Sequence, residues 1–245
     1  MFKYIFLGVV QGLTEFLPVS SSGHLVIGQK LLGMQGEEIA LSVILHLGTV
    51  LALLIFFSKD ILKLLRYIKS IALIALVTLI TGIIGISGKD FFESLFTSPK
   101  AVGAALLVTG IILILTKLAK PAREKVNFKD ACILGVTQGI AIIPGISRSG
   151  MTISTLLFRK LDAQTCFKFS FLASVPAVLG AALLEARSVG FALQGNTVNF
   201  LAGFIFSVLS GLMALIFLRA TLKKAKFYYF GFYCVIIGIL TLLFI

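Results

Sequence analysis

Long uncharged apolar blocks recur along this chain, and they leave few ways for it to fold. Residues 39–57, 198–218 and 227–245 contain no Asp, Glu, Lys or Arg. An α-helix crosses the hydrocarbon of a bilayer with about 20 apolar residues. Only structures that satisfy their backbone groups internally survive there. Charged residues make up 13% of the chain, against about a quarter in soluble domains. The expectation is an all-α integral membrane protein, a single membrane domain over residues 1–245. A net charge of +12 would suggest nucleic acid in a soluble protein. Here the basic residues sit at the ends of apolar blocks, where membrane topology accounts for them, so no nucleic-acid partner is expected. Cys132, Cys166 and Cys234 show no metal spacing or paired framework and read as small core residues. The apolar N-terminus carries Gln11 and Glu15 and has no small-residue cleavage site, so it does not read as a signal peptide.

Two blocks are broken. Residues 11–24 read QGLTEFLPVSSSGH, and residues 138–152 read QGIAIIPGISRSGMT. Pro18 and Pro144 interrupt apolar runs too short to span, and residues 20–23 read as a turn. Two half-length helices joined by a polar turn describe a re-entrant hairpin, tolerated where it is buried in protein. A plain kinked span over residues 2–32 is the simpler account of the first. The reading is an inverted-topology repeat with six transmembrane helices and two re-entrant helical hairpins. Repeat 1 covers about residues 1–120, with hairpin 1–33 and spans 39–57, 67–86 and 101–116. Repeat 2 covers about residues 128–245, with hairpin 128–160 and spans 169–184, 198–218 and 227–245.

Internal likeness supports the repeat: Gly8 to Gly12 aligns with Gly135 to Gly139, and Ser20 to Gly23 with Ser147 to Gly150. Three crossings per repeat turn the second copy upside down, an architecture used where broken helices meet at mid-membrane. The basic clusters Lys59–Lys69, Lys117–Lys129, Arg159–Lys168 and Arg219–Lys226 then fall on one side, which is cytoplasmic. Both termini lie outside and the hairpin tips can meet. The rival topology has seven or eight spans, with both hairpins crossing.

Glu15 is the only acid expected at membrane depth and Arg148 the only cation. Such groups are costly in hydrocarbon and are functional by default; a purely structural ion pair is the plainer alternative. Gln11 shares a helix face with Glu15. Ser20, Ser21 and Ser22 precede one half-helix, and Ser147 and Ser149 flank Arg148 before the other. Helix N-termini present free N–H groups to phosphate, and Arg adds a planar fork. N-capping alone would explain one Ser per hairpin. Gly23 and Gly150 permit a tight turn and close approach of a ligand. His24 falls three residues after Ser21 and can take a proton or attack phosphorus. His46 reads as a packed polar group that could line the cavity, and Glu37, Glu38, Glu185 and Arg187 as charges at helix ends or interfaces.

The two motifs, with the later FSFLASVPAVLGA, resemble the undecaprenyl-diphosphate phosphatase family, the bacitracin-resistance proteins, along essentially the whole chain. The resemblance implies hydrolysis of a polyprenyl diphosphate lipid in the bilayer of a bacterial inner membrane, serving cell-wall synthesis. It implies that Glu15, Ser21, His24 and Arg148 are catalytic. It implies that Gln11, Ser20, Ser22, Gly145, Ser147, Ser149 and Thr152 contact substrate. It also implies a divalent cation, Mg²⁺ or Ca²⁺, which Glu15 and the diphosphate could share. The family pattern has Glu or Gln, three residues, then Glu; here Gln11 takes the first place. Ser21, His24 or a water could be the nucleophile, Ser21 being the first choice. Opening to the outer side follows from the first hairpin's entry side. A homodimer is left open. Transport of a prenyl phosphate or another anionic lipid is the alternative function.

Overall fold

A computed structural model describes residues 1–33, 38–96, 98–189 and 197–244. Glu37 and the side chains of Glu38, Glu185 and Arg187 lie outside the described residues. The described chain is helical, with one isolated bridge, Arg123 to Leu161, in place of any sheet. Helix α1 (Phe2–Phe16) stops before Pro18, and α2 (Ser21–Leu31) follows. Next come α3 (Glu38–Phe56), α4 (Ser58–Leu64), α5 (Ile68–Ser87), α6 (Lys89–Phe96) and α7 (Pro99–Leu115), which tightens into a 3-10 turn at Thr116–Leu118. Helices α8 (Phe128–Ile140) and α9 (Arg148–Phe158) flank Pro144. The chain ends in α10 (Ala163–Val189), α11 (Thr197–Lys223) and α12 (Tyr229–Phe244).

Among the described residues, four stretches are long and apolar enough to cross a membrane: Ile68–Ser87, Pro99–Leu118, Ala163–Ala182 and Thr197–Lys223. A fifth is counted if α3 and α4, bent by 70°, form one broken span. Their outward faces remain apolar, with Ile86 76% and Met213 66% exposed, and so does that of the shorter α12, with Leu243 69% exposed. Apolar surface on this scale has lipid as its natural neighbour. The protein is a multi-pass membrane protein.

The structure moves several expected boundaries. Residues 20–23 are not a turn. The break lies at residues 17–20, Ser20 adopts φ 68°, and Ser21 already opens α2. The turn glycine of the second break is Gly145, at φ 94°, a conformation that a Cβ disfavours. Gly23 and Gly150 sit inside helices, where a Cβ would come within 3.5 Å of the opposite tip, at Gly145 and Pro18 respectively. They serve the approach of one tip to the other. The stretch between the expected spans 67–86 and 101–116 contains α6, and the bent helix α4 takes up the first part of the basic cluster Lys59–Lys69. Cys166 and Cys234 are buried, as core residues should be, and Cys132 is partly buried.

Small residues set the helix contacts. A Cβ on Gly8 would lie 2.4 Å from Gly203 O, and one on Gly12 would lie 2.4 Å from Ser207 O, so α1 runs parallel along α11 with the backbones touching. Gly135 and Gly139 meet Ile80 and Ile84 in the same way, laying α8 parallel along α5. Gly103 faces Gly238 and Gly110 faces Gly231, which makes α7 and α12 antiparallel. Small residues permit this approach, and dispersion then acts over a long contact. Beneath the first break, Phe16, Phe57, Phe167 and Phe171 form an aromatic cluster with neighbouring centroids 5.1–5.9 Å apart. It anchors the C-terminal end of α1 to α3 and α10.

Candidate active site

Each break leaves a helix N-terminus pointing into the protein, and each is capped by its own serine. The Ser147 hydroxyl accepts from Gly150 N–H at 3.1 Å. The Ser20 hydroxyl accepts from Gly23 N–H at 3.4 Å and from Gly145 N–H, across the tip contact, at 3.0 Å. Ser22 and Ser149 lie 3.3 Å from these capping oxygens, Ser22 beside Ser20 and Ser149 beside Ser147. Ser149 also donates to Leu17 O at 3.2 Å. Thr109 of α7 secures the second tip: it donates to Gly145 O at 3.0 Å and accepts from Ser147 N–H at 3.1 Å. Among the described residues, the N–H groups of Ser21, Ser22, Arg148 and Ser149 are left without a protein acceptor. They are the orphan donors of a helix start, with the positive end of the dipole behind them.

The charged pair closes the space between the tips. Arg148 Nη2 donates to Glu15 Oε1. Ser21 Oγ–H donates to Glu15 Oε2 at 2.6 Å, and Gln11 Nε2–H donates to the same oxygen at 3.0 Å. The Glu15 side chain is 6% exposed and that of Arg148 20%. One carboxylate therefore gathers a cation, a hydroxyl and an amide from three places in the chain. An O–H donated at this length to a carboxylate is a charge-assisted hydrogen bond, and it aims the Ser21 proton at its acceptor.

The other expected residues take more local tasks. His24 does not bond Ser21. Its Nδ1 meets Ser20 O at 2.8 Å and its Nε2 meets Tyr233 Oη at 2.8 Å. The Thr152 hydroxyl is held by Arg148 O at 2.8 Å and lies 2.6 Å from Ser170 Oγ. Gly145 gives its N–H to Ser20. Sequence reasoning missed two neighbours, Thr109 and Tyr233, and gave no partner to His46, read as a packed group that could line the cavity, whose Nε2 lies 3.7 Å from Glu15 Oε2. Ser42, His46 and Thr49 do share a face of α3, which was the only signal for His46; nothing in the sequence placed that face against α1.

Glu15 and Arg148 are also not the only buried charges. Asp130, fully buried, accepts from Arg123 at 2.6 and 2.7 Å and from Arg159 at 2.8 Å. Burial alone would raise this carboxyl; the bonds from Arg123, Arg159 and the Asn127 backbone outweigh it and hold the pKa at about 2. This cluster ties the first turn of α8 to the end of α9.

A hard cation takes oxygen donors, and the site offers few. The Glu15 carboxylate is already shared, and Gln11 Oε1, buried without a hydrogen-bond partner, is the other candidate. Among the described residues no three His, Cys, Asp or Glu side chains converge on a metal position. The donor set is too small for a protein-only cage and fits only an ion that substrate oxygens also hold.

Fold and site together define a multi-pass helical membrane protein with a polar, anion-ready centre between two broken helix pairs. The family model described as bacitracin resistance protein BacA matches residues 4–240. The chain is similar to the undecaprenyl-diphosphatase of Carboxydothermus hydrogenoformans, at 43% identity over 247 residues, 97% of this chain and 95% of the relative. It is similar to that of Halothermothrix orenii at 46% over 253 residues, covering 99% and 97%. For that of Methanosphaera stadtmanae the figures are 39% over 266 residues, covering 98% and 96%. This chain belongs to the BacA family.

Proposed function

We propose that the protein hydrolyses undecaprenyl diphosphate to undecaprenyl phosphate and inorganic phosphate, renewing the lipid carrier of cell-wall synthesis and conferring bacitracin resistance. One observation carries the mechanism: Ser21 Oγ–H is aimed at Glu15 Oε2 beside Arg148 and two helix N-termini. Ser21 Oγ attacks the terminal phosphorus as its proton passes to Glu15. The O–P bond forms, the bridging P–O bond breaks, and the prenyl monophosphate leaves. Water then cleaves the phosphoserine and releases phosphate. Arg148 and the amides of Ser21, Ser22, Arg148 and Ser149 stabilise charge on the transferring group, with Ser22 and Ser149 beside them. Ser20, Gly145, Ser147 and Thr152 hold the tips in register. Glu15 or Gln11 Oε1, together with diphosphate oxygens, would hold Mg²⁺ or Ca²⁺, whose charge would offset that of the phosphoryl group. Transport, the alternative, is not favoured, since it gives the aligned Ser21–Glu15 pair no task.

In our reading the chain is one membrane domain of six spans and two re-entrant hairpins, α1–α2 and α8–α9, arranged as an inverted repeat. The reciprocal pairing of α1 with α11 and of α8 with α5 supports this, as do the two glycine contacts between α7 and α12. Each hairpin also has its ends joined on one side, by Lys3 Nζ to Leu32 O at 2.7 Å in one and by Arg159 to Asp130 in the other. With the basic clusters cytoplasmic, both termini lie outside and the site opens outward. Purified protein given undecaprenyl diphosphate should release phosphate, and Ser21→Ala should not. Undiminished release by Ser21→Ala would remove Ser21 as nucleophile; no release by the unaltered protein would remove the enzyme reading.

A further inference from the structure

His24 is committed at both ring nitrogens, and the partners dictate which carries the proton. Ser20 O, 2.8 Å from Nδ1, is a carbonyl and only accepts, so Nδ1 holds the hydrogen. The ring's one remaining lone pair is then at Nε2, and Tyr233 Oη, 2.8 Å away, donates to it. The two rings are also near-parallel, with centroids 5.7 Å apart and an interplanar angle of 10°. Tyr233 reaches His24 from α12, more than 200 residues away in sequence. It also lines a groove of about 640 Å³ together with Leu17 and Val19 of the first break and with Lys224 and Lys226.

We propose that Tyr233 is a positioning residue for the phosphatase reaction. Its hydroxyl and ring hold the His24 imidazole as the Nδ1–H tautomer, with the Nε2 lone pair turned toward α12 and away from Ser21. The division of labour follows: the proton of Ser21 goes to Glu15, while the His24 ring, fixed at both nitrogens, braces the first tip against α12. This rests on the functional reading above, but the tautomer and its partner can be observed without turnover.

Tyr233→Phe keeps the ring and deletes the donor. In the full-length protein in lipid nanodiscs, the His24 ¹⁵N signals should report a bare, hydrogen-bonded Nε2 and a protonated Nδ1. In Tyr233→Phe the Nε2 signal should move to that of a free lone pair, with Nδ1 unchanged. kcat should fall about threefold to tenfold, the size of one hydrogen bond, with KM unchanged and the melting temperature lowered by no more than about 6 °C. In a His24→Ala background, Tyr233→Phe should have no further effect. An unmoved Nε2 signal, an unaltered kcat, or an undiminished effect without His24 would each overturn the assignment. Loss of phosphate release by the unaltered protein would instead strike the functional reading and leave the ¹⁵N result standing.

Discussion

Replacing Arg148 by Met should destabilise the protein sharply, and removing Glu15's charge as well should restore most of the loss. In the native structure the Glu15 carboxylate is 6% exposed. Arg148→Met leaves that charge buried with two neutral donors, Ser21 at 2.6 Å and Gln11 at 3.0 Å. Breaking a buried pair from one side costs about 3–5 kcal/mol, because the other charge is stranded. The two remaining donors return part of this, so we expect a loss near the lower end, about 3 kcal/mol. For a chain of this size each kcal/mol shifts the melting temperature by about 2–4 °C, giving a drop of about 6–12 °C in detergent. Glu15→Gln with Arg148→Met strands no charge and should melt within about 3 °C of the native protein. Phosphate release should be lost in both variants, since the double change restores packing but not the cation. A single variant that melts like the native protein would mean the pair is not buried. A double variant no more stable than the single would mean that stranded charge is not the cause.

Gly12→Ala would place a Cβ 2.0 Å from Ser210 Oγ and 2.4 Å from Ser207 O. That backbone carbonyl cannot turn aside, so α1 must retreat from α11 at a cost of about 1–3 kcal/mol. Melting temperature and phosphate release should fall together, because α1 carries Gln11 and Glu15. Gly82→Ala, with nothing within 4 Å, is the control and should leave both intact. For Asp130, the pKa is lowered from 3.8 to about 2 on folding, so its stabilisation is complete above pH 4 and is lost as pH falls toward 2. The difference is worth about 2 kcal/mol; between pH 5 and pH 2 the native protein should lose more melting temperature than Asp130→Asn, and equal losses would refute the contribution.

The sequence was most legible where one residue type admits one explanation. A Glu and an Arg in otherwise uncharged broken blocks must find each other or stay unpaired in hydrocarbon, so the meeting of Glu15 and Arg148 could be read before any coordinates. Pro18 and Pro144 marked the breaks because neither can continue a helix. The exact break was less legible. Ser20, Ser21 and Ser22 are alike in composition, and only the φ of Ser20 distinguishes the turn residue from the first helical residue.

Contacts from distant helices were not legible. His46 reaches Glu15 because α3 packs against α1, and Tyr233 reaches His24 because α12 lies beside the first tip. Asp130 drew no reading from the sequence, and only the fold brings Arg123 and Arg159 to it. The α4 bend of 70° after Phe57 also carries no breaking residue. Apolar length, prolines and lone charges act through local chain geometry and the solvent, so the sequence alone determined where two helices would break and that Glu15 would pair with Arg148. Which faces meet depends on small residues letting particular backbones touch, a pairwise property of helices far apart in the chain. Only the tertiary structure decided that Ser21 is turned to Glu15 and His24 to Tyr233.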